Sequence, residues 1–119
     1  METEICGAIL DFGDRVAFLE ADALVAVLAE PTIVPFPSVT GSMECTLFEG
    51  VALPVVRVGA GRTAIVLAPS GAEARSRVVV YGVAVRAVTR GLATGDGSVR
   101  VGTEVFAKIV LSDLVPAGI

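Results

Sequence analysis

Histidine is absent from all 119 residues, and with it go the commonest general base, the usual hydrolase triad and most zinc sites. Two cysteines, Cys6 and Cys45, are too few to replace the missing ligands. Carboxylates remain, yet Asp22, Glu44 and Glu49 are scattered among strand and turn residues with no motif that pairs them for acid–base work. Gly59-Ala60-Gly61-Arg62-Thr63 has glycines that would free backbone N–H groups for an anion, but it lacks the lysine of a phosphate loop and no helical pattern follows it. It reads as a strand-connecting turn. Gly95-Asp96-Gly97-Ser98 is too poor in oxygen ligands for calcium and reads as a hairpin turn. The expectation is a protein with no catalytic residue, cofactor or metal, whose work is done by its surface.

The elements that must carry such a surface are strands. Runs of about 4–8 residues rich in Val, Ile and Leu, bounded by Gly, Pro, Asp or Ser, recur along the chain. Strands are predicted at 5–10, 16–20, 32–36, 45–49, 51–58, 63–68, 77–85, 98–101 and 105–111. Ala21 to Ala29 is the exception, since Ala and Leu favour helix and Asp22 is a candidate N-cap. A short helical turn there would put Leu24, Val27 and Leu28 on one face. A second turn is expected at Ser112-Asp113-Leu114-Val115, stopped by Pro116. Reversals are expected at Phe12-Gly13-Asp14-Arg15, at Pro69-Ser70-Gly71 and at Gly95-Asp96-Gly97. Pro35 and Pro37 lack the donor a central strand needs, so their segment is an edge or a crossing.

The length suits one domain spanning residues 1–119. An apolar fraction of 54% and a mean hydropathy of +0.80 are high for a water-soluble chain, but the longest apolar runs, such as Val78 to Val85, fall far short of the roughly 18–20 residues of a membrane span. No direct membrane insertion is expected. Excess apolar surface instead points to a protein partner, self-association included. The acidic Met1-Glu2-Thr3-Glu4 lacks the basic start of a secretory signal, so a cytoplasmic location is expected. In that compartment the two cysteines are read as buried free thiols. A net charge of −4 argues against nucleic acid. Residues 1–60 carry nine acidic and two basic side chains, net −7, and residues 61–119 carry seven basic and four acidic, net +3. Separate lobes would make an electric dipole able to steer a protein partner or another copy of the chain, whereas intramolecular pairing would consume it.

The order of short motifs resembles a CheW-like domain, the adaptor family of bacterial chemotaxis. The likeness rests on Phe12-Gly13, the strand Val16 to Leu19, Leu24-Val25-Ala26-Val27, Ile33, Pro37, and Phe48-Glu49-Gly50-Val51-Ala52-Leu53-Pro54-Val55-Val56. It continues through Ala64 to Leu67, through Tyr81-Gly82 to Val88, and into Ile109 to Leu114. The family's Leu-Arg-Gly arginine is Glu49 here, and two of its aspartates are Arg57 and Arg86. The resemblance implies an all-β fold of two interlocked small five-stranded barrels, SH3-like, with one or two short helical turns. It further implies a non-catalytic scaffold whose partners are a CheA-type histidine kinase and the cytoplasmic tip of a chemoreceptor. On matching positions the protein-binding residues would be Leu24, Val27, Glu49, Gly50 and Val85. Two other classes fit the composition: a small barrel holding an apolar ligand, and a structural subunit that forms a homo-oligomer.

Overall fold

A computed structural model describes residues 3–38, 41–68 and 77–110. It is almost entirely strand: β1 Thr3–Asp11, β2 Val16–Glu20, a 3₁₀ turn Ala21–Ala23, β3 Leu24–Ala29, β4 Val34–Ser38, β5 Gly41–Phe48, β6 Val51–Arg57, β7 Thr63–Leu67, β8 Val78–Tyr81, β9 Ala84–Ala93, β10 Ser98–Val101 and β11 Glu104–Ile109. The expected all-β architecture of small barrels is therefore present. β1, β2, β11, β10 and β9 form a closed five-stranded barrel, and β3, β7, β8, β6, β5 and β4 form a second, six-stranded sheet in that order.

The two units interlock. The first and last strands of the chain make the barrel, and the middle of the chain makes the second sheet. The barrel is closed by a parallel pairing of β11 with β2, joining Ala107 to Ala17 and Ile109 to Leu19. Alternation along β1 and β2 gives each strand two apolar faces. Ile9 and Phe18 turn to Val99 and Phe106 and fill the barrel. Ala8, Leu10, Ala17 and Leu19 turn the other way, to Ile65, Leu67, Val78 and Val80 of the second sheet, and make one core shared by both units. The reverse face of that sheet curls around a third cluster of Leu53, Ala64, Val66 and Val79.

Several elements differ from the sequence reading. The helical segment ends at Ala23, and Leu24–Ala29 is strand. Helix propensities differ by only tenths of a kcal/mol per residue, so pairing with the buried β7 at Val27↔Ile65 and Leu28↔Ala64 prevails. Leu24, Val27 and Leu28 therefore do not share a face. Leu24, Ala26 and Leu28 are half-buried, and Val25, Val27 and Ala29 alternate with them on the exposed side. The run 77–85 is not one strand but β8 and the start of β9, separated at Gly82, whose φ of +98° breaks the extended path. Both cysteines are free as expected, but Cys6 is exposed and Cys45 half-buried rather than buried. Cys6 alternates with the inward Gly7-flanked apolar run of β1 and pairs with Arg90 on the barrel's outer side.

The reversals at Gly13-Asp14 and Gly95-Asp96-Gly97 join β1 to β2 and β9 to β10. In each an aspartate caps the turn: Gly13 N–H donates to Asp11 Oδ1 at 2.8 Å, and Ser98 N–H to Asp96 Oδ1 at 3.1 Å. Pro35 and Pro37 lie in β4, an edge of the second sheet. The expected turns at Pro69-Ser70-Gly71 and Ser112 to Val115 lie outside the described residues.

Candidate docking surface

The second sheet leaves a seam where its two edge strands, β3 and β4, face one another without pairing. The buried Thr46 hydroxyl donates to the Thr32 carbonyl at 2.6 Å, tying β5 to the β3–β4 connection beneath this seam. Above it lies an open groove of about 600 Å³ lined chiefly by Val27, Leu28, Pro31, Val34 and Leu47, with no charged side chain in its lining. Its β3 wall also offers backbone groups. Glu30 N–H donates to Arg62 C=O, one step beyond the Ala29↔Thr63 register. Antiparallel strands alternate between bonded and unbonded pairs, so Val27 and Ala29 direct their N–H and C=O away from β7, toward the seam.

Beyond the groove, the outer face of β4, β5 and β6 is apolar. The register Val34↔Cys45, Phe36↔Met43, Cys45↔Pro54 and Leu47↔Ala52 places these seven residues on one side. The opposite side presents Thr46, Leu53 and Phe48 to the third core cluster and its margin. On the outer side Val34 is 47% exposed, Phe36 52%, Met43 40% and Leu47 72%, and Val27 across the seam is 45% exposed. These are five of the nine large hydrophobic residues exposed among the described residues, gathered in one patch, and the largest apolar patch of a protein is often a functional one.

Three of the five residues singled out from the sequence lie at this end. Val27 lines the groove, and Glu49 and Gly50 follow Leu47 at the β5–β6 hairpin tip. Both tip residues have positive φ, +50° and +80°, the requirement of a two-residue type I′ turn, which also explains why Gly occupies its second position. The exposed Glu49 carboxylate accepts from Arg77 Nη1 at 3.3 Å, and the Arg77 guanidinium stands 5.9 Å from the Phe48 ring centre. Leu24 and Val85 are elsewhere. Both are half-buried supports of the core shared by the two units. Phe36, Met43 and Leu47 were not singled out. With Val34 and Cys45 they recur at every second residue, but Pro35, Glu44 and Thr46 between them form no clean polar set that would mark an outer face.

Charges are arranged in pairs across the surface. Arg86 meets Asp11 at 3.0 Å, Arg90 meets Glu4 at 3.4 Å and Lys108 meets Glu20 at 2.5 Å, each joining the acidic first half of the chain to the basic second half. Interleaving thus consumes the dipole that separate lobes would have made. Arg57 and Arg86, standing where the resembled family has aspartate, each hold a carboxylate. Arg57 Nε and Nη2 donate to Glu44 at 2.5 and 2.8 Å, which lowers the Glu44 carboxyl below its usual range and raises the guanidinium. The same guanidinium lies 4.8 Å from the Tyr81 ring centre.

The three carboxylates named from the sequence lie apart from one another. Glu44 is held by Arg57, Glu49 by Arg77, and Asp22 sits on the 3₁₀ turn. Among the described residues no cluster of His, Cys, Asp or Glu is placed to hold a metal ion. Gly59 and Gly61 of the glycine-rich loop pack against the Gly82 backbone, so this loop serves as the close-packed β6–β7 connection. No helix among the described residues is long and apolar enough to cross a membrane. No family model matches the chain, and no curated protein matches it.

Proposed function

We propose that this chain is a non-catalytic signalling adaptor of the CheW-like kind, coupling the cytoplasmic tip of a chemoreceptor to a CheA-type histidine kinase. The observation that carries the reading is the open, uncharged groove at the β3–β4 seam, with exposed Val27 and Leu47 at its walls. An open apolar trough beside unpaired strand backbone suits a protein segment better than a small molecule, because it offers area and main-chain hydrogen bonds but no enclosure. The resemblance implies two five-stranded barrels; one closed five-stranded barrel beside a six-stranded second sheet supports the reading at the level of all-β small-barrel architecture. A ligand-carrying barrel is the weaker reading, since Ile9, Phe18, Val99 and Phe106 occupy the barrel's interior.

The test is titration calorimetry of the whole chain against the regulatory domain of a CheA-type kinase and against a receptor-tip bundle, both from the same cell. Micromolar binding of either is expected, weakened about tenfold or more, roughly 1.4 kcal/mol, by Val27→Asp. Glu49→Arg should also alter the affinity while melting close to the parent, because the side chain is exposed and its ion pair is a surface one. No binding to either partner would end this reading.

A further inference from the structure

We infer that the outer face of β4–β5–β6 is the interface of a two-fold dimer with a second copy of this chain. Three observations commit the face to that occupant. First, its outward positions from Val34 to Pro54 carry no charge. A two-fold axis sets residues beside their own counterparts, so a charged centre would repel itself. Selection of an unlike partner ordinarily uses complementary charge. Second, the area fits. The exposures of Val27, Val34, Phe36, Met43 and Leu47 amount to roughly 400–500 Å² of apolar surface per copy. A specific dimer buries about 800 Å² on each partner, as an apolar centre with a polar rim, and the exposed Glu49 at the β5–β6 tip offers part of that rim. Third, the way the sheet ends restricts the geometry. Pro35 and Pro37 deprive edge strand β4 of two N–H donors, which blocks edge-to-edge extension into an open polymer. With the β4 edge blocked, this side of the sheet is left to pack face to face, an arrangement that a two-fold axis closes at two copies.

Val27, Val34 and Leu47 also line the seam groove, so the substitutions that separate this inference from the adaptor reading fall on the Phe36↔Met43 pair, which does not. Sedimentation of the full chain from about 1 to about 100 µM tests it. The expected result is a concentration-dependent species of twice the 12.1 kDa chain mass, with Phe36→Glu and Met43→Glu each weakening association about tenfold or more. Val105→Glu, a change at an exposed position on the barrel, should leave it unaltered. Circular dichroism verifies that each variant folds, and Phe36→Ser serves in place of any glutamate variant that does not. A chain that stays monomeric throughout overturns the inference, as does a dimer indifferent to both substitutions. A monomer that instead binds a kinase domain through a Phe36→Glu-sensitive contact also overturns it and gives this face to the unlike partner.

Discussion

Gly82→Ala should be the most damaging single-methyl change in the described chain, because Gly82 is where the path crosses from the second sheet into the barrel. Its N–H donates to the Thr63 carbonyl at 3.0 Å, and its backbone lies directly against that of Gly59. Two costs combine. At a φ of +98° an L-side chain costs about 1–2 kcal/mol relative to glycine. A Cβ there would also stand 2.2 Å from Gly59 O and 2.6 Å from Gly59 C. Ordinary contact begins at 3.4 Å, so the carbonyl must retreat by about 1.2 Å. The obstacle is backbone on both sides and no rotamer relieves it, so the β6–β7 connection must move relative to β8 and β9. Overpacking of this kind adds roughly 1–3 kcal/mol, for a total of about 3 kcal/mol or more. For a domain of this size each kcal/mol lowers the melting temperature by roughly 3–6 °C, and a fall of about 10–20 °C is expected.

Gly50→Ala provides the control. Gly50 has a φ of +80° with nothing within 4 Å of the would-be Cβ, so it bears the conformational cost alone, about 1–2 kcal/mol. Thermal melts of both variants, followed by far-ultraviolet circular dichroism, separate the two terms. Equal losses would refute the view that the Gly59–Gly82 backbone contact is a rigid joint between the two units.

Thr46→Val should cost about 1–2 kcal/mol in urea unfolding by leaving the Thr32 carbonyl without its donor. Thr46→Ser, which keeps the hydroxyl, should recover most of that. Asp11 sets a pH dependence: the Gly13 N–H, and then Arg86, hold its carboxyl below the ordinary 3.8. A depressed folded-state value means that the stabilisation is complete above 3.8 and is lost as pH falls through the lowered value. Urea titrations should therefore show parent and Asp11→Asn differing by a constant margin at neutral pH and converging under strong acid. A margin that widens on acidification would contradict the assignment.

Much of the local structure is legible without coordinates. Short β-branched runs punctuated by Gly13, Asp14, Gly95 and Gly97 require strands and tight reversals. Pro35 and Pro37 require an edge, and the absence of histidine removes histidine-dependent catalysis. These conclusions depend on residues adjacent in the chain, whose steric and hydrogen-bonding limits apply in any fold. Leu24 to Ala29 escaped that logic because its intrinsic preference is weak and β7, more than thirty residues later, decides its conformation.

What only the tertiary structure decided is which faces meet. An alternating strand such as Phe36 or Met43 belongs to has two sides, and its own sequence does not say which side another element will cover. The parallel closure of β11 on β2, the interleaving that pairs Arg86 with Asp11 and the packing of half-buried Leu24 and Val85 against the shared core all arise from contacts between segments far apart in the chain. The composition already announced an excess of apolar surface. Its location depended on β4 and β5 falling at one end of the second sheet, with Val34, Phe36, Met43 and Leu47 on the exposed side.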